Sequence, residues 1–170
     1  MQKDFDPRSV KPNRFRIFWN LIPVSLIVIA DEITKFFALQ RLPDEGSLVR
    51  PGILSFAIHK NLGIAFDIPF RIPFIIFISI VIGLFLLQVA KANLKRHPMI
   101  SFASLTIIIG ALGNLYDRIV YEFTVDYIIL FGRLAINLSD IVIVSGVIML
   151  LMTSRRSRRH KRIHPDEPER

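Results

Sequence analysis

Residues 110–140 read G-A-L-G-N-L-Y-D-R-I-V-Y-E-F-T-V-D-Y-I-I-L-F-G-R-L-A-I-N-L-S-D. Within this stretch, three aspartates, Asp117, Asp126 and Asp140, lie beside or within long apolar runs. Carboxylates at membrane depth are unfavourable and rare, and those that occur there usually serve a function. Each of the three is therefore a candidate functional residue.

The spacing of polar residues around these aspartates predicts two polar faces. Asn114, Asp117 and Arg118 are related by i, i+3 and i+4, which places them on one side of a helix. Asn137 and Asp140 repeat the i, i+3 spacing on the next apolar run. Two such faces, brought together across a short link, are expected to build one buried polar site.

The composition is that of a membrane protein. Of the 170 residues, 52% are hydrophobic, and the mean hydropathy of +0.47 is too high for an ordinary soluble domain. The net charge of +8 does not indicate a nucleic-acid-binding protein, because Lys and Arg collect at the ends of apolar runs, as they do in membrane topology signals. The chain contains no cysteine, which excludes disulfides, a thiol nucleophile and thiolate metal ligands.

The apolar runs predict an all-α membrane protein with four transmembrane helices. Ile72–Ala90 carries no charge and is long enough to cross about 30 Å of hydrocarbon. The basic start before the first run resembles a signal peptide, but no small-residue cleavage site follows it, so we expect a retained span. The other predicted spans run from Phe15 past Ala30, over Met99–Leu115 and over Ile136–Met152.

The segments outside the spans are predicted to be short. Ile53–Ile58 is rich in β-branched and aromatic residues, which indicates a strand in a small extramembrane β-containing segment between the first two helices. Residues 1–14 are expected to form a basic cytoplasmic leader, and residues 154–170 a basic, disordered cytoplasmic tail. The membrane domain then comprises residues 15–153.

The distribution of basic residues predicts the orientation. With four spans, both termini lie on one side together with residues 91–98, and that side holds fifteen of the twenty-two Lys and Arg residues. The positive-inside rule places this side in the cytoplasm. The unusual polar residues of the chain then gather near the opposite, outer face.

Two carboxylates held close together can perform acid–base chemistry. They do not ionise independently, so the pair shares a proton near neutral pH, and the ionised member can activate water. This chemistry needs no metal and no cofactor, and the sequence offers no H-E-x-x-H or two-histidine spacing for zinc. The alternative is that Asp, Asn and Arg side chains only pair with one another to lock helices together, since intramembrane ion pairs are often structural.

Five short motifs, in this order, resemble the lipoprotein signal peptidase family, also called signal peptidase II. The resemblance spans roughly residues 15–152, and a single motif would be weak evidence, whereas the ordered set is specific. The motifs are D-E-I-T-K (31–35), N-L-G-I-A-F (61–66), G-N-L-Y-D-R (113–118), V-D-Y (125–127) and N-L-S-D (137–140).

The resemblance implies an aspartic peptidase of the bacterial inner membrane, with four helices. Such an enzyme removes the signal peptide of a prolipoprotein just before a cysteine that carries diacylglycerol, and the family is the target of the cyclic peptide globomycin. Asp126 and Asp140 match the family's catalytic aspartates, and Asp117 matches a supporting residue. The remaining matches imply residues that line or support the site: Asp31, Lys35, Asn61, Gly63, Asn114, Arg118 and Asn137. We further expect contact with membrane phospholipid, a monomer and no nucleic acid.

The sequence departs from the family pattern near the last motif. Ile136 stands where Phe is usual, Ser139 stands where Ala is usual, and the link between Asp126 and Asp140 is short. Two alternatives to a peptidase remain, and the substitutions at Ile136 and Ser139 support only the first of them. One is a homologue that binds lipoproteins without cutting them, and the other is a small transporter or proton relay that uses the same carboxylates.

Overall fold

The computed structural model describes residues 14–47, 52–64 and 68–163. This part of the chain is mostly helical, with a short 3-10 helix at Glu45–Ser47 and five strands. The α-helices are α1 (Arg14–Arg41), α2 (Ile72–Asn93), α3 (Pro98–Val120) and α4 (Leu138–Ile163). The strands are β1 (Leu54–Asn61), β2 (Gly63–Ile64), β3 (Ile68–Pro69), β4 (Thr124–Leu130) and β5 (Leu134–Ile136).

The four helices begin near the residues that the apolar runs predict, but α1 and α4 continue about ten residues beyond the predicted ends of their apolar runs. α2 and α3 each have proline in the first turn, where the missing backbone N–H leaves no intrahelical bond unmade. Within the described residues, α2 and α3 are long and apolar enough to cross a membrane, with mean hydropathies of 2.7 and 1.7. The apolar part of α4, Leu138–Ser154, is shorter.

The β-structure is more extensive than the sequence predicts. β1 lies between α1 and α2, as expected, but it pairs antiparallel with β4, which pairs in turn with β5. Both added strands come from the link between α3 and α4, where T-V-D-Y-I-I-L has the β-branched and aromatic residues that favour strands. The prediction that confined β-structure to the segment between the first two helices is therefore wrong in extent. A separate pair is formed by β2 and β3.

A small apolar core joins this sheet to the end of α1. Ala38 of α1, Ile58 of β1 and the β4 residues Val125 and Tyr127 form one buried cluster. Because Val125 and Tyr127 flank Asp126, this packing also fixes the part of β4 that carries the aspartate.

α3 and α4 approach each other closely through glycine. A methyl group at Gly110 would lie 2.8 Å from Ile143 Cγ1, and one at Gly146 would lie 2.7 Å from Ile107 Cγ1. Contacts this short show that neither position has room for a side chain. Small residues at helix contacts allow such approach, which here brings the polar end of α3 against the start of α4.

The chain termini differ from the prediction in one respect. α4 continues to Ile163, so the first ten residues of the predicted disordered tail, 154–163, are helical. Arg and Lys favour helix and interact well with the C-terminal end of its dipole. The leader up to residue 13, residues 164–170 and the last two residues of the N-L-G-I-A-F motif lie outside the described residues.

Candidate active site

The start of α4 is held by a reciprocal pair of hydrogen bonds. The backbone N–H of Asp140 donates to Asn137 Oδ1 over 2.9 Å, and the backbone N–H of Asn137 donates to Asp140 Oδ2 over 3.2 Å. This is a capping box, in which two residues at i and i+3 satisfy backbone donors of a helix N-terminus. The predicted i, i+3 pair is thus a helix cap that fixes the Asp140 carboxylate.

Asn137 also reaches the second aspartate. Its side-chain Nδ2 donates to Asp126 Oδ1 over 2.7 Å. Asp126 is carried by β4 and Asp140 by the first turn of α4. One residue therefore donates hydrogen bonds to both carboxylates, through its backbone to Asp140 and through its side chain to Asp126.

Two further asparagines complete the contacts of these carboxylates. Asn61 Nδ2 donates to Asp126 Oδ2 over 3.1 Å, and Asn114 Nδ2 donates to Asp140 Oδ1 over 2.7 Å. Each carboxylate oxygen of Asp126 and Asp140 therefore accepts a hydrogen bond from an amide N–H. The donors come from β1, α3 and the start of α4, so the two carboxylates are oriented by three separate elements.

The environment of Asp126 favours its protonated form. Its carboxyl group is almost fully buried. This burial, and next the nearby negative charge of Asp140, raise the pKa of Asp126 to about 7, well above the ordinary value for aspartate. The hydrogen bonds from Asn61 and Asn137 act in the opposite direction. A carboxyl group that titrates near neutral pH can exchange a proton during a reaction.

A second cluster lies behind the pair, around a buried lysine. Lys35 Nζ is 2.7 Å from Asp117 Oδ2, 3.1 Å from Asp31 Oδ2 and 3.0 Å from Glu32 Oε1. Asp117 Oδ2 also accepts the backbone N–H of Val125 over 3.1 Å. Asp117 therefore belongs to a group that joins α1, α3 and β4, whereas Asp126 and Asp140 share Asn137.

Asp31 joins the two elements that carry the aspartate pair. Tyr127 Oη donates to Asp31 Oδ1 over 2.8 Å, and the backbone N–H groups of Leu138 and Ser139 donate to the same carboxylate over 3.0 and 3.1 Å. The Ser139 hydroxyl adds a bond of 2.6 Å. Tyr127 follows Asp126 in β4, and Ser139 precedes Asp140 in α4. The Asp31 carboxylate therefore connects a residue adjacent to Asp126 with a residue adjacent to Asp140.

Arg118 joins α3 to the start of β2. Its guanidinium donates to the backbone carbonyls of Asn114 and Gly63, each over 3.2 Å. The backbone N–H of Gly63 donates in turn to Asn61 Oδ1 over 3.0 Å, which turns the Asn61 amide nitrogen toward Asp126. Arg118 Nε is buried without a hydrogen-bond partner among the described residues.

All ten site residues named from the sequence lie in this connected network. Sequence reasoning missed Tyr127, Ser139 and Glu32 as members. In the sequence, Ser139 stands out only as a departure from the family pattern, and Tyr127 only as part of V-D-Y. No sequence signal could have placed Tyr127 and Ser139, because their bonds to α1 span 96 and 108 positions of the chain. Glu32 is different, since its i, i+3 spacing to Lys35 is visible in the sequence.

Comparisons with known proteins identify the family. The model of the signal peptidase II family matches residues 24–156. The lipoprotein signal peptidase of Clostridium tetani is 34% identical over 140 residues, which cover 78% of this chain and 89% of that protein. The lipoprotein signal peptidase of Syntrophomonas wolfei is 35% identical over 128 residues, covering 75% and 86%.

A solved structure gives the same result at the level of the fold. A bacterial membrane enzyme determined by the in meso method at 2.3 Å resolution superposes with a TM-score of 0.74 at 25% identity. The match covers 84% of this chain and 91% of the other. Sequence and fold therefore agree, and the chain belongs to the signal peptidase II family.

Proposed function

We propose that this protein is a membrane-embedded aspartic endopeptidase that removes the signal peptide of prolipoproteins before the diacylglyceryl-modified cysteine. Asp126 and Asp140 are its catalytic residues. The observation that carries this assignment is the shared partner: Asn137 donates to Asp126 Oδ1 and, through its backbone, to Asp140 Oδ2. No such residue joins Asp117 to either of them among the described hydrogen bonds.

In the proposed mechanism the two carboxyl groups share one proton. The ionised carboxylate takes a proton from water, and the water oxygen attacks the carbonyl carbon before the lipid-modified cysteine. The other carboxyl group hydrogen-bonds the developing oxyanion and later protonates the leaving amine. Fixed amide donors from Asn61 and Asn114 hold both carboxylates in place, so little reorganisation is needed when charge develops.

The apolar helices support a membrane setting for this activity. We propose that α1 to α4 span the bacterial inner membrane with both termini in the cytoplasm, so that the aspartate pair lies toward the outer face, next to the acyl chains of its substrate. The protein acts as a monomer in contact with phospholipid and uses neither metal nor cofactor.

The positions of the buried charges favour hydrolysis over a proton relay. Among the described residues, the buried charged side chains are Asp31, Lys35, Asp117 and Asp126, and all of them belong to the network around the aspartate pair. A relay needs titratable groups at several depths toward both faces. The single cluster instead favours a site for one reaction.

The test is cleavage of a diacylglyceryl-modified prolipoprotein by the purified protein, followed as a decrease in substrate size. A prolipoprotein with an unmodified cysteine serves as the matched substrate, and we expect cleavage only of the modified one. Asp126→Asn and Asp140→Asn should each reduce the rate at least about 1,000-fold, and the double variant should be scarcely slower, because members of a catalytic unit are non-additive.

Asp117→Asn is the control for the assignment. Asp117 contacts Lys35 and the backbone of Val125, so we expect less folded protein and only partial loss of cleavage per folded molecule. A folded but inactive Asp117→Asn variant, together with normal cleavage by Asp126→Asn, would assign the pair to Asp117 and Asp140 instead. Normal cleavage by all three variants would refute the aspartic mechanism.

A further inference from the structure

A histidine lies directly across the sheet from Asp126. In the antiparallel pairing of β1 with β4, His59 is the register partner of Asp126, and Asn61 is the partner of Thr124. Residues opposite each other in such a pair have their side chains on the same face, with Cβ atoms about 5 Å apart. The imidazole of His59 is therefore a cross-strand neighbour of the Asp126 carboxyl group.

The position of Asn61 shows which face this is. Side chains two residues apart in a strand point to the same side, so His59 and Asn61 share a face of β1. Asn61 donates to Asp126 Oδ2. The irregularity in the β1–β4 register lies before His59, between Phe56 and His59, so the alternation from His59 to Asn61 is undisturbed. His59 therefore lies on the face of the sheet that carries the aspartate pair.

A carboxylate fixes the histidine ring. His59 Nδ1 and Glu45 Oε2 are 2.5 Å apart, and Glu45 lies in the 3-10 helix that follows α1. That segment is joined to β1 by the bridge between Asp44 and Ile58 and by a bond from the Ile58 N–H to the Pro43 carbonyl. A carboxylate acceptor at Nδ1 holds the proton there and sets the orientation of the ring.

We propose that His59, oriented by Glu45, is a third charged group of the active site, whose positive charge favours the ionised form of the Asp126 carboxyl group. This inference rests on the proposed function of Asp126. A cation close to a carboxylate favours its charged form, and a protonated imidazole is such a cation. His59 is thus a positioning residue: it acts on the charge of Asp126 and does not itself react with substrate. The other charged groups near His59 and Asp126 are Asp44, which forms the bridge to Ile58, Glu45 of the 3-10 helix, Arg118 of α3 and Asp140 of α4.

The neighbouring lysine provides a matched control. Lys60 follows His59 in β1 and therefore points to the other face, where its Nζ lies 5.8 Å from the centre of the Phe123 ring. Lys60 is exposed and its charge is open to solvent screening. Replacing Lys60 therefore removes a positive charge that is next to His59 in the sequence but lies on the face of the sheet opposite the aspartates.

The test is the pH dependence of kcat/KM for cleavage of the lipid-modified substrate. In His59→Gln, we expect the acid limb to move to higher pH by about 0.5 to 1 unit. Cleavage at pH values on that limb then falls by about 3- to 10-fold, while cleavage on the plateau stays within about twofold of the unmodified protein. His59→Lys, which keeps a positive charge, should bring the acid limb back. Lys60→Gln should leave it in place.

Three results would overturn the proposal. They are an acid limb that does not move in His59→Gln, a uniform loss of cleavage at every pH, and an equal shift in Lys60→Gln. The uniform loss would assign His59 a structural role only. In each case Asp126→Asn still abolishes cleavage if the aspartic mechanism holds, so failure of this inference is distinguishable from failure of the proposed function. Should His59→Gln not fold, the neutral variant His59→Asn takes its place, and an acid limb that does not move in His59→Asn gives the same negative answer.

Discussion

Ser139 shows how one hydroxyl group can join distant parts of this site. Its Oγ donates to Asp31 Oδ2 over 2.6 Å, and Asp31 is fully buried. A hydrogen bond to a buried charged group contributes about 1.5 to 3 kcal/mol. Ser139, which departs from the family pattern, therefore adds a hydrogen bond to Asp31, the carboxylate that joins β4 to α4. Among the described hydrogen bonds, its side chain makes none to the carboxylate oxygens of Asp126 or Asp140.

Ser139 and Gly113 are expected to be coupled. A methyl group at position 113 would lie 2.5 Å from Ser139 Oγ and 3.0 Å from Glu32 Oε1. Ser139→Ala alone should lower the free energy of unfolding by about 1 to 2 kcal/mol and preserve cleavage, because the Ser139 backbone N–H still binds Asp31. Gly113→Ala should destabilise the protein more strongly.

The double variant tests this coupling. Adding Ser139→Ala to Gly113→Ala should recover part of the stability, since it removes the closest clash but leaves Glu32. Unfolding in detergent, measured for the four members of the double-mutant cycle, gives the coupling energy. Strictly additive losses would contradict the close approach.

The raised pKa of Asp126 makes stability depend on pH. A carboxyl group whose pKa is higher in the folded protein, here about 7, binds its proton more tightly when folded. Its stabilising contribution is therefore complete below the pKa of the unfolded chain, near 4, and is lost as the pH rises through 7. Asp126→Asn removes this dependence, so the variant should gain stability relative to the unmodified protein between pH 4.5 and pH 8, by up to about 3 kcal/mol. Thermal unfolding of both proteins at pH 4.5 and pH 8 measures this gain in stability. A stability difference that is the same at both pH values would contradict the raised pKa of Asp126.

At the scale of elements, the sequence predicted the helices and the polar spacings well, because both are local. The i, i+3 relation of Asn137 and Asp140 appears as a capping box, and Asn114, Asp117 and Arg118 do share one face of α3. The partners of those residues were not predictable. Strand pairing of β1 with β4 joins positions about seventy residues apart, and local propensity carries no information on which strands meet.

The contact between α3 and α4 depends on glycine at a place where a side chain has no room. Gly146→Ala would set a methyl group 2.7 Å from Ile107 Cγ1 and 3.1 Å from the Ile107 backbone nitrogen. We expect a loss of about 1 to 3 kcal/mol from overpacking. Gly83→Ala in α2 is the matched control, because nothing lies within 4 Å of its added methyl group. It should be neutral or stabilising by about 0.5 to 1 kcal/mol. Unfolding in detergent compares the two, and equal effects would show that the close contact is absent.

At the scale of the whole molecule, the outward surface is apolar along the helices. Phe77 and Phe85 of α2 are each 62% exposed, and α2 is the most apolar of the described helices. An exposed surface of this kind is expected where the surroundings are lipid rather than water. The sequence predicted this from hydropathy alone, whereas the arrangement of the helices around the site depends on side-chain packing that hydropathy does not encode.

The orientation of the molecule is testable with reporter fusions. Fifteen of the twenty-two basic residues lie on the side of the termini in a four-span arrangement, so a fusion after Thr153 should show cytoplasmic activity. A fusion within residues 43–50 should report the opposite side. A C-terminus outside the cytoplasm would contradict the four-span arrangement, and with it the location of the aspartates toward the outer face.

The buried lysine of α1 has a consequence for how the chain is made. Lys35 and Asp31 emerge from the ribosome long before their later partners, since Leu138 and Ser139 follow Asp31 by 107 and 108 positions. A lone cation or carboxylate would hinder insertion of the first helix. Lys35, however, has counter-ions within its own helix, Asp31 at i−4 and Glu32 at i−3. In the proposed arrangement the first helix can therefore enter the bilayer with its lysine already paired. Lys35 then acquires Asp117 of α3, and Asp31 acquires Tyr127 of β4 and the backbone of α4, in the order in which translation delivers them.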